Sequence, residues 1–195
     1  MYDINERVND MVSDQRWGKG RTAAVALGAV VLAGTAAAGV AQAAPAAAHG
    51  SAVPTCSASG LQVSLHRNLA GGMNHQGAVI QFKNTGSRTC ALLGYPGLGL
   101  ENSKHQALAS KTVWGNTWYA ASPAKKAVSL APGQSAEAVA AWTHVNTGTS
   151  GATHAAYLEV TPPASTVHKT LTFDQWVDGG ELNITAVART VPLNG

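Results

Sequence analysis

From residue 61 onward the apolar residues recur at every second position, the spacing that lines one face of a β-strand rather than one face of a helix. Leu61, Val63 and Leu65 alternate with Gln62 and Ser64, and Leu98 and Leu100 flank Gly99. Ala136, Ala138, Ala140 and Trp142 share one face, with Glu137, Val139 and Ala141 on the other. Further runs lie at Val79–Phe82, Leu92-Leu93, Val128–Leu130, Tyr157–Val160, Leu171–Phe173 and Leu182–Val187. Between them stand turn formers: Asn84-Thr85-Gly86, Gly94-Tyr95-Pro96-Gly97 and Pro132-Gly133. After residue 60 no stretch carries the helical period. The pattern predicts an all-β domain of about 8–9 short antiparallel strands, folded as a sandwich or a barrel.

The residues before this region read differently. Alanine is concentrated from Ala23 to Ala48, preceded by Arg16, Lys19 and Arg21. A basic flank, an apolar run and the small-x-small site Ala41-Gln42-Ala43 together predict a secretory signal peptide over 1–43, cleaved after Ala43. Its n-region is 1–21 and its apolar region 22–40. Asp3, Glu6, Asp10 and Asp14 dilute the n-region, so Met11 competes with Met1 as the start. A retained anchor over 22–40 is the alternative, because that run approaches the length of a bilayer. It is, however, mostly Ala, Gly and Thr, which insert weakly. Leu32-Ala33-Gly34 is followed by Thr35, which has no thiol to carry a lipid. The expected organisation is therefore the signal peptide, a flexible lead at 44–54, a β-sandwich domain at 55–190 and a tail at 191–195. The expected location is extracellular, with membrane attachment only if the signal segment stays uncleaved.

The chain has two cysteines, Cys56 and Cys90, both after the export segment. Export makes a disulfide the expected state, and no C-x-x-C spacing points instead to redox or metal chemistry. Closing a loop of roughly this length contributes on the order of 3–4 kcal/mol in the chain-entropy account.

The order of these landmarks carries a resemblance. Cys56 opens the first strand region, and Asn84-Thr85-Gly86 precedes Cys90. Gly94-Tyr95-Pro96-Gly97, Leu130-Ala131-Pro132-Gly133, Ala136 and Trp142 follow, then Val160-Thr161-Pro162-Pro163 and a last strand to Val187. Over roughly Cys56 to Arg189 the chain resembles the actinobacterial secreted family of domains of unknown function numbered 4232. The resemblance implies an antiparallel immunoglobulin-like β-sandwich on an exported protein, with no activity to carry across. It also implies a second cysteine pair, at positions that here read Gly151-Ala152-Thr153-His154 and Asp178-Gly179-Gly180. The loops Thr147–His154 and Asp178–Gly180, without that covalent tie, are therefore expected to be looser.

Seven histidines raise the question of metal binding, but His49, His66, His75, His105, His144, His154 and His168 include no H-x-x-x-H or H-E-x-x-H pair. They read as scattered surface residues, although a distant trio could converge in a sandwich. Glu137 and Glu159 sit at mid-strand positions that read as solvent-facing, and Asp174, Asp178 and Glu181 gather near one loop. No nucleophile elbow and no cofactor motif are present. The net charge of +3 is dispersed, with Lys125-Lys126 the one adjacent basic pair, so nucleic acid is not an expected partner.

Aromatic residues are the more suggestive feature. Trp114-Gly115-Asn116-Thr117-Trp118-Tyr119 places three rings in a loop or edge strand. Trp114, Trp118 and Tyr119 are candidate ligand-binding residues, able to stack on sugar faces or to anchor a protein partner. The alternative is that Trp114 or Trp118 plugs one end of the sandwich. Trp142 reads as core by its strand phase, and Trp176 as a rim residue. The sequence thus points to a secreted, non-catalytic module without cofactor, binding or structural at the cell surface, whose partner is a cell-wall polysaccharide or another surface protein. A carbohydrate-binding domain using the Trp114–Tyr119 rings is the alternative, and a metal-assisted enzyme the third.

Overall fold

Two long antiparallel hairpins organise the domain. The first pairs β1 (Leu61–Ala70) with β2 (His75–Asn84), and the second pairs β9 (Ala152–Thr161) with β10 (Lys169–Asp178). They belong to a computed structural model that describes residues 52–70 and 72–194. The signal peptide expected at 1–43, with most of the lead at 44–54, lies outside the described residues. The remaining strands are β3 (Cys90–Leu92), β4 (Gly97–Glu101), β5 (Ala107–Leu108), β6 (Lys111–Trp114), β7 (Val128–Leu130), β8 (Ser135–Thr143) and β11 (Glu181–Ile184). A single 3₁₀ turn, Ala58–Gly60, leads into β1 and is capped by Ser57.

The strands form a five-stranded sheet in the order β1-β2-β8-β11-β6, a four-stranded sheet β10-β9-β4-β5 and a small β3-β7 pair. The architecture is all-β, as the two-residue period predicts. Eleven strands appear among the described residues, against the expected 8–9. The additional ones are β5 and β6, two and four residues long. Neither has the run of large apolar residues that marks the other short strands: β5 is Ala107-Leu108 and β6 is Lys111-Thr112-Val113-Trp114. All pairings between these strands are antiparallel except that of β6 with β11, which run parallel in the register Glu181↔Lys111 to Ile184↔Trp114. Among the described residues no helix is long and apolar enough to cross a membrane.

The inward residues of both large sheets meet in one core. Val63, Ile80, Phe82, Ala138 and Ile184 from the first sheet join Leu100, Leu158, Val160 and Val177 from the second. Trp142 is buried, as its phase predicts, and meets Phe173 edge-on at 4.8 Å, linking the two layers. Small residues on β8 admit this close approach: Ala136, Ala138 and Ala140 are all essentially inaccessible. The outer face of β8 is covered as well. Val79 and Val139 pack there with Ala120, Val191 and Leu193, so the tail expected from residue 191 lies on the sheet.

Polar contacts close the corners. Asn84, buried at the end of β2, donates through Nδ2 to the carbonyls of Arg88 and Leu130 and accepts from the Gly86 N–H. The Thr112 hydroxyl donates to the Leu98 carbonyl at 2.7 Å and accepts the Leu98 N–H at 3.2 Å, linking β6 of one sheet to β4 of the other. Cys56 and Cys90 are joined by a disulfide, alongside a bridge between Thr55 and Ala91. The two loops that lack the second cysteine pair lie together, with the Gly179 N–H donating to the Gly151 carbonyl at 2.9 Å.

Candidate functional site

The three candidate aromatics separate in space. Trp114 ends β6, the edge of the five-stranded sheet, with 63% of its surface exposed. Its ring lies parallel to that of Tyr95 at 5.5 Å, and Lys125 Nζ sits 5.9 Å from the Tyr95 centroid. Trp118 is 45% exposed and stacks on His75 at 3.9 Å. Tyr119 turns inward: its hydroxyl donates to the His75 carbonyl at 2.6 Å, and its ring lies over Gly77. Burial raises the Tyr119 phenol above its ordinary ionisation range. Tyr119 therefore belongs to the packing, while Trp114 and Trp118 face outward on different supports. Neither Tyr95 nor His75 is near them in sequence, so no local motif announces these pairs.

Trp118 borders a groove of about 300 Å³, lined also by Lys111, Thr143, Asp178, Glu181 and Asn183. The parallel register of β6 and β11 sets Lys111 opposite Glu181, and their side chains pair at 3.5 Å. The end of β10 brings in Asp178, so two of the three acids noted near one loop meet here, while Asp174 lies apart against His154. The groove thus combines one half-exposed indole with two carboxylates, an amide, a hydroxyl and an ammonium. An indole can cover an apolar C–H face, while the polar groups donate and accept around its edge.

A second group of functional side chains occupies the outward face of the four-stranded sheet. Gly99 pairs with Glu159 and Glu101 with Tyr157, so Glu101 and Glu159 are diagonal neighbours across β4 and β9. A Cβ at position 99 would lie 2.5 Å from Glu159 Oε2, so the glycine makes the room in which this carboxylate lies. Glu159 is half-buried rather than freely solvent-facing, and Glu101 is 6% accessible. His105 Nδ1 lies 2.8 Å from Glu101 Oε2, with its ring stacked on Tyr157 at 4.1 Å. His168 Nε2 lies 3.5 Å from Glu159 Oε1. The hydrogen bond from His105 holds the Glu101 carboxyl below the usual range, whereas burial, and then the bond to Glu101, raise that of Glu159. Further along the same sheet His154 bonds Asp174 at 3.0 Å and tilts against Trp176.

Three histidines that read as scattered are thus paired with carboxylates, His105 with Glu101 four residues before it and His154 and His168 across the β9–β10 hairpin. Sequence spacing missed this cluster because its members come from β4, the β4–β5 turn, β9 and the residue before β10. The signal that was present is the four-residue spacing of Glu101 and His105.

No curated protein and no solved structure matches the chain. A family model described as Domain of unknown function (DUF4232) matches residues 56–188, from the first cysteine through the residue that bridges back to β8. With most of its length covered by that match, the chain belongs to the DUF4232 family.

Proposed function

We propose that this domain is an exported, non-catalytic binding module that acts outside the cytoplasm and takes its ligand in the Trp118 groove. The observation that carries this reading is the groove itself: an indole beside Asp178, Glu181, Asn183, Thr143 and Lys111, at the paired β6–β11 edge. That mixture suits a polyhydroxylated ligand, whose C–H faces cover the ring while its hydroxyls meet carboxylate and amide. Cell-wall saccharides are the ligand class we infer. Export is supported by the basic flank, the apolar run 22–40 and the Ala41-Gln42-Ala43 site, together with the Cys56–Cys90 disulfide.

The test is a titration of the mature domain with soluble peptidoglycan fragments, followed by tryptophan fluorescence. A saturable change is expected, and Trp118→Ala should weaken it at least about tenfold, the loss of one buried aromatic contact. A flat signal in the wild type removes the saccharide reading.

A second reading is favoured by Trp114, whose exposed ring stacks on Tyr95 to form an aromatic ridge. This ridge is suited to anchoring another surface protein. Loss of binding in Trp114→Ala but not in Trp118→Ala would assign the ligand to it.

A further inference from the structure

We infer that the cluster on the outward face of the four-stranded sheet is a divalent metal site, with Glu101, Glu159 and His168 as ligands and His105 as the residue that positions Glu101. One ligand atom from each of the three lies within 4.8 Å of the others, and among the described residues this is the one such group.

Three observations carry the inference. Two carboxylates lie side by side, one of them nearly out of solvent, and the side chains that meet them are the imidazoles of His105 and His168. Two adjacent carboxylates repel unless a cation or a shared proton lies between them, and a dication is the stronger remedy. Second, the glutamate on β9 is seated by design of the backbone: Gly99 stands opposite it, and any side chain there would displace its carboxylate. Third, His105 is held by Tyr157 with Nδ1 on Glu101 Oε2, the imidazole–carboxylate arrangement that orients a ligating group.

The donor set selects the ion. One imidazole and two carboxylates suit a first-row divalent cation such as Zn²⁺, whereas Ca²⁺ takes six or more oxygens. Ligand atoms around tetrahedral Zn²⁺ stand about 3.4 Å apart at the usual bond lengths, so closing the cluster takes side-chain adjustments on the order of an ångström. Three protein ligands leave the coordination open to water or to a group of a bound partner. The ion would join β4, β9 and the segment before β10.

The experiment is a calorimetric titration of the chelator-treated, disulfide-intact domain with Zn²⁺. Binding of one ion per chain is expected, with a rise in Tm of several degrees at saturating metal. Glu159→Gln and His168→Ala should each lower affinity about tenfold or more, and His105→Ala by a smaller factor. His154→Ala, which alters the separate His154–Asp174 pair, should leave binding unchanged. A second measurement needs no variant: on addition of Zn²⁺ the imidazole NMR signals of His168 should move before those of His154. The inference is overturned if the wild type takes up no Zn²⁺ at millimolar concentration. It is equally overturned if binding survives both Glu159→Gln and His168→Ala, or if the His154 signals move first.

Discussion

Gly77 shows how much one residue decides here. A Cβ at this position would lie 2.6 Å from the Ala140 carbonyl oxygen and 2.8 Å from the Tyr119 ring. Gly77→Ala is therefore expected to destabilise the domain by about 1–3 kcal/mol, read from urea melts, because both neighbours are held by other contacts. Tyr119 supplies a pH test from the same contact. Its phenol is neutral, donates to the His75 carbonyl and ionises later than an ordinary phenol because of its burial. A folded-state pKa above the unfolded one means that this stabilisation is complete below the ordinary phenol range and is lost as pH rises through the folded value. Alkaline titration should show a late-ionising phenolate that disappears in Tyr119→Phe, and the variant should lose less stability than the wild type at high pH. Burial of Trp142 was legible from its strand phase. The inward turn of Tyr119 was not, because its partners Gly77 and His75 lie on β2, forty or more residues away.

Among the elements, the long strands were legible and their neighbours were not. Alternation marks β8 because one of its faces is lined by Ala136, Ala138, Ala140 and Trp142. The opposite face, with Val139 and Ala141, reads as outward and is nevertheless buried, because the 117–120 segment and the tail return to cover it. Val191→Ala should consequently cost about 1–2 kcal/mol, whereas a free tail would show no change in a denaturant melt. The parallel pairing of β6 with β11 was equally hidden. It depends on the chain leaving the four-stranded sheet after β5 and joining the other sheet, with Thr112 bonded back to Leu98. That switch sets Lys111 against Glu181 and builds the groove beside Trp118. The metal cluster has the same origin, since Glu101 and Glu159 become neighbours only through the register of β4 and β9.

For the molecule as a whole, class and family could be read early because they rest on order and spacing along the chain. Period-2 runs, turn formers and the two cysteines recur in sequence regardless of which strands pair. The functional faces depend on pairing, and so emerged only with the fold. What unifies the account is the proposed location: a disulfide-closed domain suits the outside of the cell, where disulfides persist. The most direct test is the intact mass of the protein recovered from the envelope and medium of the cells that make it. The expected species begins at Ala44 and gains the mass of two hydrogens on reduction. A chain confined to the cytosol, still carrying residues 1–43 and unchanged in mass by reductant, would contradict the account.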